Sequence, residues 1–169
     1  AVRHSEHDLF DAVLCGAIEN SFEGGDQGFG AVETEALGAG VLHLQVALVL
    51  LGTDQEAVDG TYAIIHLAGE NISSKRWNSR FKKLIHSSRI DSTRNLVSTI
   101  LACNQKPKQL IAASAIGWYG DTGNSLIDES APSAGDFLGG LCRDWEDASK
   151  PLMGTTVLRT VIRFGLVLD

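Results

Sequence analysis

The stretch Ile64-Ile65-His66-Leu67-Ala68-Gly69-Glu70-Asn71-Ile72, followed by Lys75-Arg76-Trp77, most narrows what this chain can fold into. A short β-branched run stops at Ala-Gly and opens into a polar, basic segment. That pattern fits a buried parallel strand ending at the carboxyl edge of an α/β sheet. Ligands of doubly wound sheets lie in the crevice outside such strand ends, and small residues there let a ligand approach the backbone. A tight strand-to-loop turn would read the same way at Ala68-Gly69.

The sequence after residue 61 extends this reading. Tyr62–Leu67 reads as a strand and Asn78–Ala102 as a long helix, with Phe81, Leu84, Ile85, Ile90, Leu96, Val97, Ile100 and Leu101 near helical spacing. Gln109–Ser114, entered through Pro107, is the next strand. Asp136–Ala148 is a second helix and Thr156–Phe164 a third strand. Strand, helix, strand, helix, strand means a parallel sheet joined by right-handed crossovers. The earlier third is less regular. Residues 8–18 suit a short helix or strand, Glu19–Gly30 a glycine-rich loop, Ala31–Gly40 a helix weakened by Gly38 and Gly40, and Val41–Leu51 a strand.

Charge divides the chain at the same place. Residues 1–53 carry one basic residue, Arg3, against eight acids, whereas the remainder is balanced. We therefore expect an acidic, glycine-rich segment over 1–53 and an α/β unit over 54–169. The acidic first third argues against nucleic acid as a partner. The longest apolar run, Val46–Leu51, is strand-sized, so no membrane span is expected. His4, Glu6, His7 and Asp8 stand where a basic and then apolar leader would be. Cys15, Cys103 and Cys142 are odd in number and widely spaced, which points to free thiols in a reducing, cytoplasmic setting. The five histidines have no metal-ligand spacing.

HLAGENISSKRW at 66–77, SAIGWYGD at 114–121, DESAP at 128–132, DFLGGLCRDWE at 136–146 and RFGLVL at 163–168 together resemble the extended short-chain dehydrogenase/reductase superfamily. More narrowly, they look like its atypical epimerase-family branch, sometimes labelled a cell-division-inhibitor homologue. The resemblance covers about residues 56–169. It implies a Rossmann-like doubly wound parallel sheet and a nicotinamide cofactor, NADP or NAD. It further implies that Leu67, Ala68, Gly69, Glu70, Asn71 and Ala113 border the cofactor. Ser114 matches the family's active-site serine, Trp118-Tyr119-Gly120 its nicotinamide wall, and Asp128-Glu129 a loop on the substrate side. A turn or capping serine, and ordinary core aromatics, would account for the same residues. Arg89 and Arg94 are expected on an exposed helix face, in salt bridges.

Two family features are not visible. The Tyr-x-x-x-Lys pair would fall on Leu138 and Cys142, or one residue earlier on Phe137 and Leu141, which leaves Tyr119 as a substitute. The Gly-x-x-Gly-x-x-Gly turn has no counterpart, since Gly24-Gly25-Asp26-Gln27-Gly28-Phe29-Gly30 is spaced differently. The fold is therefore expected to be incomplete, without the first glycine-rich unit and without a C-terminal substrate domain. Two readings follow. One is an NAD(P)-dependent oxidoreductase or epimerase-like domain acting on an unidentified small molecule. The other is a non-catalytic binding or regulatory module, division-related, or a truncated product without cofactor affinity. Open sheet edges allow self-association.

Overall fold

A computed structural model describes Gly30–Val32, Val46–Val49 and residues 55–165. The elements are β1 (Gly30–Val32), β2 (Val46–Val49), α1 (Gln55–Val58), β3 (Ala63–His66), α2 (Ser79–Ala102), β4 (Gln109–Ala115), α3 (Phe137–Ala148) and β5 (Leu158–Phe164). They build one sheet in the order β1-β2-β3-β4-β5. Strands β2 to β5 are parallel, and β1 is antiparallel to β2 at the edge. The alternation of strand and helix after residue 61 is thus realised as a Rossmann-like α/β sheet. Two strands from the acidic first third are laid onto it.

Physical detail adjusts several boundaries. Asn78 and Asp136 are caps rather than first helical residues. Asn78 Oδ1 accepts from the Phe81 N–H at 2.9 Å, and Asp136 Oδ1 from the Gly139 N–H at 2.7 Å. Each satisfies one of the donors that a helix start leaves orphaned. Tyr62 stays outside β3, where its carbonyl accepts from the Lys108 N–H at 2.7 Å and aligns the entry of β4. The helix expected over Ala31–Gly40 is wrong at its start, because Ala31 and Val32 pair with Ala47 and Val46 in β1. A ladder satisfies their backbone groups where a glycine-weakened helix would do so poorly. Strand β2 falls within the expected 41–51 strand. Residues 8–18 and the loop up to Phe29 lie outside the described residues.

Helix α2 spans the length of the core. Its C-terminal half packs Leu96, Val97 and Ile100 against Val58, Ile64, Leu110 and Leu152. Its N-terminal half packs Phe81, Ile85 and Ile90 against Ala113, Leu141 and Trp145. Leu84 and Leu101, which share the helical spacing, are exposed instead. Burial on this scale is the main source of stability for such a layer. The register then sets the functional edge. His66 pairs with Ala112 and Ser114 with Arg163, so Ala68 and Ser114 each lie two residues beyond paired partners at the same carboxyl edge. Among the described residues, no helix is long and apolar enough to cross a membrane. Nor is any cluster of three histidines, cysteines or carboxylates placed to hold a metal.

Candidate functional site at the carboxyl edge

The loop leaving β3 is held from below by α2. Arg89 Nη1 donates to the Glu70 carbonyl at 2.9 Å, and the Glu70 N–H donates to Ser88 Oγ at 2.9 Å. A Cβ added to Gly69 would sit 2.9 Å from the Arg89 guanidinium carbon, so any larger residue there would make the end of the Arg89 side chain shift. Arg89 also lies over the Trp145 ring, 5.1 Å from its centroid. It is half-buried, and burial lowers its pKa from the ordinary value. The expectation of an exposed, salt-bridging Arg89 is therefore corrected. Thr93 and the fold of the loop draw this part of α2 inward. Thr93 Oγ1 lies 2.9 Å from His66 Nε2 and accepts from Trp145 Nε1 at 3.2 Å. Arg94 behaves as expected, exposed and 3.7 Å from Asp91.

Of the other residues expected near a cofactor, Ala68 is buried and Leu67 half-buried, while Asn71 is exposed. Asn71 Oδ1 accepts from the Ser73 N–H at 2.8 Å, which closes its own turn. Ala113 packs its side chain into the core beside Ile85 and Trp145, so only its backbone can face a ligand.

A cavity of about 450 Å³ opens beside this loop. It is lined by Arg89, Ala115, Gly117, Leu138, Cys142 and Trp145, among others. Leu138 and Cys142 are the positions to which spacing assigned the missing tyrosine and lysine. Both face the cavity, so it carries an alkyl chain and a thiol where an acid–base pair would be. Burial pushes the Cys142 thiol up from its ordinary pKa. The cavity wall comes from Ile116, Gly117 and Gly120. Trp118 does not line it. Its indole N–H donates to the Ala131 carbonyl at 2.9 Å, which turns the ring toward Arg163.

Arg163 and Glu146 organise the second half of the site. Ser114 Oγ donates to Glu146 Oε1 at 2.7 Å. Arg163 grips both Glu146 oxygens, Nε to Oε1 at 2.8 Å and Nη2 to Oε2 at 3.1 Å. Its Nη1 donates to the Tyr119 hydroxyl oxygen at 2.8 Å and to the Glu129 carbonyl at 3.1 Å. The guanidinium carbon stands 3.8 Å from the Trp118 ring centroid. The hydrogen bond to Glu146 raises the Arg163 pKa further. Such fork-to-carboxylate pairs are both strong and directional.

The structure thus joins Ser114 and Tyr119, the two expected catalytic residues, through two charged side chains that the sequence did not single out. The signal was present in DWE and RFG. Each motif places its charged residue on an element beside Ser114, one on α3 and one on β5. A hollow of about 510 Å³ borders Tyr119, Glu129, Glu146 and Arg163. Glu129 of the DESAP loop borders it, and Asp128 Oδ1 accepts from the Ser130 hydroxyl and, at 2.9 Å, from the Ser130 N–H. These hydrogen bonds hold the Asp128 carboxyl below its ordinary range.

Comparison with known proteins bears on the fold and the family. No protein-family model matches the chain. Epimerase family protein Mb2239 of Mycobacterium bovis is 35% identical over 116 residues, which cover 69% of this chain and 38% of that protein. The crystal structure of human epimerase family protein SDR39U1 with NADPH superposes with a TM-score of 0.62 at 33% identity, covering 65% of this chain and 38% of that one. The nucleoside-diphosphate sugar epimerase from Corynebacterium glutamicum gives 0.60 at 34% identity, covering 70% and 25%. The chain spans about 38% of the length of the curated relatives it matches first. Over the matched two thirds of its length, this Rossmann-like α/β chain is homologous to the epimerase family proteins, an atypical short-chain dehydrogenase/reductase type.

Proposed function

We propose that residues 54–169 carry the NAD(P)-holding portion of an epimerase-family oxidoreductase, acting on an unidentified small molecule in the cytoplasm. The observation that carries this reading is the NADPH in the human relative at 33% identity, taken with the shared carboxyl edge of Ala68 and Ser114. The residues fit the group in part. Gly69 leaves backbone exposed at the loop, and the 450 Å³ cavity admits a flat ring beside Gly117. Leu67, Ala68, Gly69, Glu70, Asn71 and the Ala113 backbone would border the adenosine side. The glycine-rich stretch before Gly30 lies outside the described residues, so no phosphate cradle is assigned.

A dinucleotide bound there would supply the hydride. The chain's own part is positioning. Tyr119 receives a hydrogen bond from Arg163 on its oxygen, which leaves its hydroxyl proton free to bind a substrate oxygen in the 510 Å³ hollow. Ser114 has its proton committed to Glu146, so it engages substrate by exchanging that carboxylate for the substrate oxygen. A non-catalytic binding module is the second reading. It is favoured by Leu138 and Cys142 standing where a proton donor would be.

Titration of the purified chain with NADPH and NADH, followed by nicotinamide fluorescence and thermal unfolding, tests the proposal. Ligand at about a hundred times its Kd stabilises the fold by about 2.7 kcal/mol. No response at millimolar cofactor would refute it. Ser114→Ala is expected to keep cofactor binding and lose turnover, and unchanged turnover removes Ser114 from the site.

A further inference from the structure

The groups so far assigned at the carboxyl edge hold or donate protons, and none of them takes one up. Leu138 has no polar atom. Burial raises the Cys142 thiol, which keeps it protonated. Arg89 and Arg163 are cations, and Tyr119 already receives Arg163 on its oxygen. Two carboxylates border the 450 Å³ cavity, and each holds its own turn. Asp121 accepts from the Gly123 N–H at 2.9 Å and Asp136 from the Gly139 N–H at 2.7 Å.

Glu146 is placed differently. It stands in the last turn of α3, the helix end where the backbone dipole opposes a negative charge. Strand β5 offsets that cost with two cations. Arg159 Nη2 donates to the Glu146 carbonyl at 2.7 Å, and Arg163 grips the carboxylate from two sides. Helix stability alone would favour a cation at this position. The side chain is 11% exposed, and it borders the 510 Å³ hollow beside Tyr119. Its Oε1 is also the acceptor of the Ser114 hydroxyl, which is buried at the end of β4. One hollow therefore presents a hydroxyl donor, Tyr119, and a carboxylate acceptor, Glu146, both held by one guanidinium. A hydroxyl group has one proton to give and lone pairs to receive, so it can satisfy both at once.

We propose that Glu146 is the catalytic proton acceptor of this site, taking the proton of a substrate hydroxyl that has replaced the carboxylate on Ser114. The inference rests on the dinucleotide reading for its redox partner. In the oxidising direction the substrate O–H bond breaks, and its electron pair becomes the second carbon–oxygen bond. The hydride released from that carbon passes to an oxidised nicotinamide, and the proton bonds to Glu146 Oε1. The carboxylate becomes a carboxylic acid, and the solvent-open hollow lets water carry the proton off. Reduction runs the same steps backwards, with Glu146 as the donor. Arg163 is the positioning residue, since its two bonds fix the plane of the carboxylate.

The full chain with NADPH and 4-nitrobenzaldehyde as the probe carbonyl tests this in the reducing direction. Glu146→Gln keeps an oxygen for Ser114 and Arg163 but carries no acidic proton. It is expected to lower kcat about a hundredfold or more, the usual range for a lost general acid. KM for the aldehyde, the NADPH dissociation constant from fluorescence titration and the unfolding midpoint should stay close to those of the parent. The parent rate should climb as pH falls, because the protonated acid is the donor, and Glu146→Gln should lose that slope. Arg163, Arg159, Cys142, Ser114, Tyr119 and Glu129 surround the carboxylate and remain in the variant, so a slope of theirs would survive. Glu146→Asp keeps the acid and should retain the slope at reduced kcat. Undiminished kcat or a surviving slope in Glu146→Gln, or a flat profile in Glu146→Asp, overturns the proposal. So does a parent chain that binds NADPH and reduces none of the aldehyde, and the dinucleotide reading then still stands. A parent chain that binds no NADPH defeats the dinucleotide reading itself, and this proposal with it.

Discussion

Replacing Arg163 by leucine removes the cation that holds Glu146, and it should be among the most damaging single changes at the carboxyl edge. The side chains of Arg163 and Glu146 are 17% and 11% exposed. With Arg163 gone, the Glu146 carboxylate keeps one hydrogen bond, from Ser114, and only the charge of Arg159 nearby, so it sits as a poorly compensated, partly buried charge. Breaking a buried pair from one side costs about 3–5 kcal/mol, and the residual exposure here argues for the lower end, about 3 kcal/mol. A small domain has only about 5–15 kcal/mol to lose. With a urea m-value of about 1.5–2 kcal/mol/M, the unfolding midpoint should fall by about 1.5–2 M. Tryptophan fluorescence is a suitable probe, because Trp118 lies against Arg163 and Trp145 adjoins Glu146 in sequence. The decisive comparison is the double variant Arg163→Leu with Glu146→Leu. Replacing both charges with apolar groups should recover most of the loss, since the penalty comes from the stranded carboxylate. A double variant less stable than the single one would refute that reasoning and show that the pair itself supplies the stability.

Other consequences can be measured on the same preparation. Gly139→Ala places a methyl group against the Ala134 backbone carbonyl, which cannot move aside cheaply, and should cost about 3 kcal/mol in chemical denaturation. Asn78→Ala removes the cap on the Phe81 N–H and should lower stability by about 1 kcal/mol, with Asn78→Asp largely restoring it. Burial raises the pKa of both Cys103 and Cys142 in the folded chain. A thiol raised in this way contributes stability in full below the unfolded pKa of about 8.5, and that contribution is lost as pH climbs through the higher folded value. Thermal unfolding between pH 8 and 10 should therefore decline less steeply in Cys103→Ala with Cys142→Ala than in the parent chain.

The sheet was legible because its strands announce themselves twice, by β-branched runs and by small residues where they stop. Ala63–His66, Gln109–Ala115 and Leu158–Phe164 are each within two residues of where the pattern puts them. Helices α2 and α3 were legible from apolar spacing, and their caps from Asn78 and Asp136. The start of the expected 31–40 helix was not, because strand pairing at a sheet edge is a long-range event that local propensity does not encode. The candidate site was half legible. Ser114 and Tyr119 could be named from the SAIGWYGD segment, yet the chemistry joining them depends on Glu146 and Arg163. Those residues are separated from Ser114 by 32 positions and by a neighbouring strand. Only the parallel register of β4 and β5, which sets Ser114 opposite Arg163, puts them within reach. Arg89 was misjudged for a related reason. A long charged side chain on a helix is normally solvated, and nothing local reveals that a loop carbonyl and an indole will capture it.

That capture has a wider consequence. One guanidinium fastens the turn after β3, lies against an indole of α3 and is rooted at the centre of α2. Whatever presses on the glycine turn is therefore felt mechanically by both crossover helices together. Amide exchange at the middle of α2 and along α3 should slow in concert when the turn is occupied, much as tightening one bolt stiffens every plate it passes through.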